Sequence, residues 1–269
     1  MRNNEKSNFL YIKNIFESIS NEYDFMNDLM TFKNHSKWKE EIVEIAIDSS
    51  PKKILDIATG TGDIAIKLSK IKGSIIDAVD VSDNMLKIAH SKIDKLNINN
   101  INLKTCEAEN LVFDDNQFDT VLCTDVLEHL EHFHRVFNEI LRISKKYIII
   151  SLPNALNIIP NYLRELEYQP SDGSTVGDYF GLYSKFYGLP KKTPHDRHRW
   201  FFTYSDASRF FKYHETNKYR IIEEFAVGLG GSTIKGKCIR KLLKIFINDK
   251  KFKNLFATAY WCVLEKKCG

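Results

Sequence analysis

Apolar positions recur along the chain in two rhythms. Between residues 8 and 32 they fall at helical spacing: Phe9, Ile12, Ile15, Phe16 and Ile19, then Tyr23, Phe25, Met26, Leu29 and Met30. This spacing predicts a helical segment, packed on a sheet or laid over a ligand as a lid. Trp38 to Ile47 reads as a further helix, closed by Ser49, Ser50 and Pro51. From Lys53 onward the rhythm shortens. Runs bounded by turn residues predict strands at Ile54–Ile57, Ser74–Asp80, 101–106, Phe118–Thr124, Lys145–Leu152, Arg220–Val227 and Phe256–Glu265. Helical patterns separate them. One carries Ile64, Ile66 and Leu68. A second follows Ser82 as N-cap, with Met85, Leu86, Ile88 and Ala89. A third spans Phe133–Ile143, and a fourth starts at Tyr204-Ser205-Asp206 and reaches Phe211.

The first strand reads as a buried parallel strand and runs into a turn holding Gly60 and Gly62. Glycines there allow positive φ and let a ligand approach the main chain. A cofactor is therefore expected at the carboxyl end of this strand, where open α/β sheets bind ligands. Gly60 and Gly62 fit the first two positions of a dinucleotide fingerprint, with Ala65 in the third. Asp56, inside the strand, points an acid at the loop; a pyrophosphate would be repelled there, whereas a sulfonium or an amino group would be attracted. Asp80 ends the next strand, where an acid can hold ribose hydroxyls. That serves a nicotinamide dinucleotide and S-adenosylmethionine alike.

Composition narrows the classes. A chain of 269 residues holds one large α/β domain with insertions, or a domain and a small lid. Its net charge of +4 gives no global nucleic-acid footprint. Cys106, Cys123, Cys238, Cys262 and Cys268 form no C-x-x-C pair, and Cys106 and Cys123 fall in strands expected to be buried, which together suggest a reducing, cytoplasmic setting. The polar N-terminus lacks the apolar core of a signal peptide, and no apolar run approaches the ~20 residues needed to span a bilayer. Lys235–Lys253 alternates basic residues with Ile239, Leu242, Leu243, Ile245 and Phe246. It reads as a surface helix, or as one that touches an inner membrane face peripherally.

The motifs, taken in series, resemble those of class I S-adenosylmethionine-dependent methyltransferases. They are Leu-Asp-Ile-Ala-Thr-Gly-Thr-Gly-Asp, Val-Asp-Val-Ser-Asp-Asn-Met-Leu, Glu107-Ala108-Glu109 before Leu111 and Phe113, and Gln117-Phe118-Asp119. The likeness covers residues 20–155. It implies an α/β fold with a seven-stranded, mostly parallel sheet of the Rossmann-like type, helices on both faces and an antiparallel last strand. It also implies an N-terminal helical lid over residues 1–50, a methyltransferase domain over 51–269, and an acceptor-side insertion at 153–203 after strand 5. S-adenosylmethionine would be held by Asp56, Ala58, Thr59, Gly60, Gly62, Asp80, Val81, Met85, Glu107, Ala108 and Thr124. Tyr23 to Trp38 closely resembles the N-terminal signature of the ubiquinone/menaquinone C-methyltransferases, with Thr31 where that family usually has serine.

The second signature of that family departs here. A Pro-Gly-Gly turn and a glutamate-x-serine are replaced by Ser144-Lys145-Lys146-Tyr147 and Ser151-Leu152-Pro153-Asn154. The aromatic-rich insertion closes with Thr193-Pro194-His195-Asp196-Arg197-His198-Arg199-Trp200. Arginine grips phosphate and carboxylate in a bidentate fork. This stretch resembles methyltransferases encoded with surface-polysaccharide pathways, or forms an Asp–Arg network pinning the insertion. Tyr23, His195, Arg197, His198 and Arg199 are thus the candidate acceptor contacts. His129 and Asp125, after the fourth strand, are the catalytic candidates, His129 first. Asp125, Glu128 and His129 also resemble a divalent-cation cluster of some quinone O-methyltransferases and RNA-end methyltransferases, but no metal is assigned. Glu131, His132 and His134 read as a solvated helix face. Two acceptors follow, a small or lipid-linked quinone-type molecule and a glycan or sugar-phosphate methylated on oxygen. From other classes, the glycine loop alone admits an NAD-dependent oxidoreductase, and a non-catalytic S-adenosylmethionine-binding module is also open.

Overall fold

The computed structural model describes residues 14, 44, 46, 50–156, 200, 202–213, 218–229, 240 and 244–267. Among the described residues are seven strands: β1 (Lys53–Ile57), β2 (Ile75–Asp80), β3 (Ile101–Thr105), β4 (Phe118–Thr124), β5 (Ser144–Pro153), β6 (Tyr219–Val227) and β7 (Ala259–Lys266). They form one sheet in the order β3-β2-β1-β4-β5-β7-β6. β1 runs parallel to β2 and β4, β2 parallel to β3, and β7 antiparallel to β6. Helices α1 (Asp63–Leu68), α2 (Asp83–Lys95), α3 (Phe133–Ile143), α4 (Tyr204–Tyr213) and α5 (Asp249–Phe256) intervene, with a 3-10 turn at Leu127–His129. The expected α/β sheet is present.

Two compact units make up the chain. The first comprises Met1–Cys123 and Arg135–Ile149, the second Thr124–His134 and Ile150–Gly269. In the first, β1 lies between β2 and β4, and Ile54, Leu55, Asp56 and Ile57 are all buried. A central strand buried on both faces needs the apolar residues seen in the sequence, and Asp56 is the one acid among them. Its amino end is held by Asp119, whose Oδ2 accepts from the backbone N–H of Lys52 at 2.8 Å and Lys53 at 3.0 Å. Phe118 is fully buried and meets Phe113 edge-on at 5.0 Å. Two residues of the Gln-Phe-Asp motif therefore serve the fold. Register aligns the carboxyl ends: Ile57 pairs with Val79 and Cys123, and Asp80 with Thr105. The loops after β1, β2 and β3 consequently leave the same edge.

Most boundaries fall within one residue of expectation, and two of the differences change how a named residue is read. Cys106 lies just past β3 and is half-buried, because β3 is the edge strand and its end is not covered. Phe256 closes α5 and does not open β7. Its ring packs on Phe252 at 4.9 Å, an i,i+4 contact that only a helix makes.

The second unit is organised by aromatic rings. Phe133 packs against Trp200, Phe202 and Phe210 with centroids 5.6, 5.5 and 5.2 Å away. Phe211 stacks on Tyr260 at 5.7 Å. Thr203 and Asp206 cap α4 reciprocally: Asp206 N donates to Thr203 Oγ1 at 3.2 Å, and the Thr203 hydroxyl donates to Asp206 Oδ2 at 2.7 Å. Asn154, fully buried past β5, donates through Nδ2 to the carbonyls of Asn254 (2.7 Å) and Ala257 (2.8 Å). It satisfies the end of α5, whose last carbonyls have no helical partner.

Candidate functional site

The turn after β1 is built by positive backbone angles. Ala58, Gly60 and Gly62 have φ of 57, 59 and 83°. The turn is closed by Gly62 N donating to Thr59 O at 3.0 Å and anchored to β2 by Thr59 N donating to Val79 O at 2.9 Å. The two glycines do different work. A Cβ added to Gly62 would sit 2.9 Å from Ala89 Cβ, so glycine there lets the turn press on α2. A Cβ added to Gly60 would meet nothing within 4 Å. At Gly60 the main chain faces open space that a ligand can enter.

Two carboxylates converge on this turn. Asp56 is buried in β1 and accepts the Thr59 hydroxyl at 2.7 Å. Asp80, buried at the end of β2, accepts from Gly60 N through Oδ2 and from Ser82 N through Oδ1, both at 2.8 Å. It thereby ties the glycine turn to the start of α2, where Ser82 Oγ caps by accepting from Met85 N at 3.2 Å. An ionised carboxylate oxygen accepts more than one hydrogen bond, so these backbone ties are compatible with ribose hydroxyls. Met85 is buried and Val81 half-buried. After β3, Cys106 N donates to Asp80 O at 2.9 Å, which brings the next loop to the same edge. Glu107 is exposed there and Ala108 half-buried, with Glu107 O accepting from Asn110 N at 3.0 Å. Burial pushes the Cys106 thiol up, while Lys104 pulls it down. A raised thiol is a poor nucleophile.

Sequence reasoning missed Lys92. Its Nζ lies 2.9 Å from Thr61 Oγ1 and 2.7 Å from Asp63 Oδ1, so it clamps the turn from α2. Helical spacing was the available signal, since Ala89 and Lys92 are three apart on the face toward Gly62.

In the second unit, Thr124 is half-buried, and Asp125 is exposed with a positive φ of 53°. That backbone is fixed by Ser151: Asp125 N donates to Ser151 Oγ at 2.9 Å, and the Ser151 hydroxyl donates to Asp125 Oδ1 at 2.7 Å. Ser151 interrupts the isoleucine run of β5, a hydroxyl where packing alone calls for a hydrocarbon. Glu128 and His129 are both buried, with His129 Nε2 3.6 Å from Glu128 Oε1. Trp200 holds this segment twice. Its backbone N donates to Glu128 O at 3.0 Å and its indole Nε1 to Leu130 O at 2.7 Å. The expected solvated face differs at His134: although exposed, its ring meets Phe133, Trp200 and Phe210 at 5.6, 5.6 and 5.7 Å. Among the described residues no group of three or more His, Cys, Asp or Glu could hold a metal ion. Tyr23, His195, Arg197, His198, Arg199 and all of the expected lid except residues 14, 44, 46 and 50 lie outside the described residues.

The family model for the ubiE/COQ5 methyltransferase family matches residues 2–152. The ubiquinone/menaquinone biosynthesis C-methyltransferase UbiE of Idiomarina loihiensis is 32% identical over 191 residues, 70% of each chain. That of Shewanella pealeana is 35% identical over 137 residues, 50% of this chain and 55% of the relative. Against that relative and several others, the chain spans about half of their length. Among solved structures, the magnesium protoporphyrin IX methyltransferase of Synechocystis PCC 6803, with bound SAH, matches with a TM-score of 0.58 at 15% identity, over 95% of this chain and 100% of that one. The PH0226 protein of Pyrococcus horikoshii matches with a TM-score of 0.56 at 18% identity, over 87% of this chain and 92% of that one. At these identities the likeness concerns the fold.

Proposed function

We propose, from the premise that the chain belongs to the ubiE/COQ5 methyltransferase family, that it methylates a quinone-type ring, small or lipid-linked. Membership makes it an S-adenosylmethionine-dependent methyltransferase; the acceptor is the proposal. The observation that carries it is the reach of the family match. Residues 2–152 include the whole stretch ahead of β1, which a generic cofactor sheet does not require. The nicotinamide reading of the glycine loop has no support from any of these likenesses.

The residues after β1, β2 and β3 suit this cofactor. Open space at Gly60 accommodates it, and the Asp56 carboxylate beside it favours a cationic amino acid moiety. Asp80 is the proposed ribose acceptor, and Glu107 with Ala108 the proposed adenine contacts. The bound cofactor supplies a methyl group already activated by a sulfonium. The protein's remaining tasks are to align the acceptor, exclude water and accept one proton. In C-methylation the ring carbon forms the new C–C bond as the S–CH3 bond breaks, and the ring proton leaves to a base. His129 is the proposed base, with Asp125 second. His129→Ala is expected to lower kcat by roughly 100-fold or more, and turnover equal to wild type with the true acceptor would remove it from that role.

A second reading, O-methylation of a glycan or sugar-phosphate, is favoured by the end of the family match at Leu152, just before the Arg/His-rich insertion. One experiment separates the two. The chain is incubated with methyl-labelled S-adenosylmethionine and an extract of its source cells, and the products are partitioned. Label travelling with quinones supports the first reading. Label in aqueous or lipid-linked sugar overturns it in favour of the second.

A further inference from the structure

The chain's charge is concentrated. Between Lys235 and Lys253 stand eight lysines and arginines against Asp249 alone. This stretch is therefore +7 in a chain whose net charge is +4, and the remainder is net acidic. Within the described part, cations fold inward over rings. Arg240 Cζ lies 5.0 Å over the ring of Phe256, and Lys244 Nζ 5.8 Å over that of Phe252, which is buried. These contacts place Arg240 and Lys244 against α5. Ile245 and Phe246 are 77% and 76% exposed, and Leu255, in the following helix α5, is 52% exposed. Lys250 and Lys251, near the start of α5, are exposed as well.

Isolated exposed apolar residues need no explanation. Here two adjacent ones and a third stand among lysines, the composition of a surface that enters a headgroup layer. We propose that Ile245, Phe246 and Leu255, flanked by Lys250 and Lys251, form a peripheral docking surface for an anionic lipid bilayer. The apolar side chains enter the boundary between headgroups and acyl chains, and the lysines meet anionic headgroups. A second copy of the chain is a poorer occupant, because two such faces repel. A phosphodiester polymer would use the lysines but leave Ile245 and Leu255 without a hydrocarbon partner. The proposal does not depend on which acceptor is methylated, although a lipid-linked acceptor would be reached from such a surface.

The test is flotation of the full chain with vesicles of phosphatidylcholine, alone or with about one-third phosphatidylglycerol. Binding is expected to the anionic vesicles only, and to fall steeply between ~0.05 and ~0.5 M salt. The double variant Ile245→Ser, Phe246→Ser is expected to lose about tenfold or more in partitioning. So is the double variant Lys250→Glu, Lys251→Glu. Thermal unfolding with and without S-adenosylhomocysteine confirms that each variant folds and keeps the cofactor site. Equal binding to neutral vesicles, or variants within about twofold of wild type, would overturn the proposal. So would a change in oligomeric state on removing Phe246, or tighter binding to heparin that ignores the apolar substitutions. A chain that binds S-adenosylhomocysteine but ignores vesicles sinks the surface and leaves the methyltransferase reading intact.

Discussion

Substituting Gly62 by alanine isolates the physics of the turn after β1. Two costs add. The backbone at φ 83° lies in the left-handed region, which costs a side chain roughly 1–2 kcal/mol. The new Cβ would also sit 2.9 Å from Ala89 Cβ; relief of such an overlap by shifting the helix costs roughly 1–3 kcal/mol. A destabilisation of about 2–5 kcal/mol is expected, a fall in Tm of about 4–20 °C for a chain of this size. Gly60→Ala is the control. Its φ of 59° incurs the backbone cost, but its Cβ has nothing within 4 Å, so the loss should be about 1–2 kcal/mol. Its larger effect should be on S-adenosylhomocysteine affinity, because the added methyl group would enter the open space proposed for the ligand. Ala89→Gly tests the overlap directly. In the wild type it should cost about 1 kcal/mol as a helix glycine. In the Gly62→Ala background it should recover part of the loss, a coupling visible in a double-mutant cycle. Chemical denaturation read by circular dichroism supplies all four corners. A Gly62→Ala variant within about 0.5 kcal/mol of wild type, or purely additive effects, would refute the assignment of Gly62 to helix contact.

Other sites make sharper functional tests. Lys92→Met removes the clamp on Thr61 and Asp63; stability should change by about 1 kcal/mol or less, while S-adenosylhomocysteine affinity by calorimetry should fall several-fold, and unchanged affinity would make the clamp incidental. Trp200→Phe keeps an aromatic ring but strands Leu130 O, which should cost about 1–3 kcal/mol in denaturant unfolding; no loss would show that water replaces the indole. Burial raises the Glu224 carboxyl, but hydrogen bonds from Lys212, Ser208 and Tyr260 outweigh it and leave it below the ordinary range. A lowered folded pKa means that its stabilisation is full above the unfolded value of about 4.3 and is lost as pH falls through the folded value. The Tm gap between wild type and Glu224→Gln should therefore be widest near neutrality and close in acid, and a gap independent of pH would contradict the coupling.

Much of the fold was legible because its signals are local. β1 and β4 are buried over most of their length, so Ile54, Leu55 and Ile57, and Phe118, Val121, Leu122 and Cys123, mark them in the sequence, and their ends could be placed within a residue. The N-cap Ser82 and the glycine turn announce themselves through residue types that few other conformations demand. Local signals failed at the sheet edge and at α5. Cys106 looked like strand because the apolar rhythm continued past the last ladder pair. Phe256 looked like strand because Phe-Ala-Thr-Ala-Tyr has no helical period of its own, and only the packing of Phe252 against Phe256 decides the matter.

The sequence by itself determined the order of strands and helices, the glycine turn, and the acids at the ends of the first two strands. Each is set by the chemistry of a residue or its near neighbours. Tertiary structure alone decided that Asp119 holds the start of β1, that Lys92 reaches back 31 residues to Thr61, and that Ser151 fixes Asp125. It also decided that Trp200 grips the segment at Glu128 and Leu130. A hydrogen bond needs a donor and an acceptor about 3 Å apart and aligned. For residues distant in sequence, only the folded chain supplies that proximity, and no periodicity or composition encodes it.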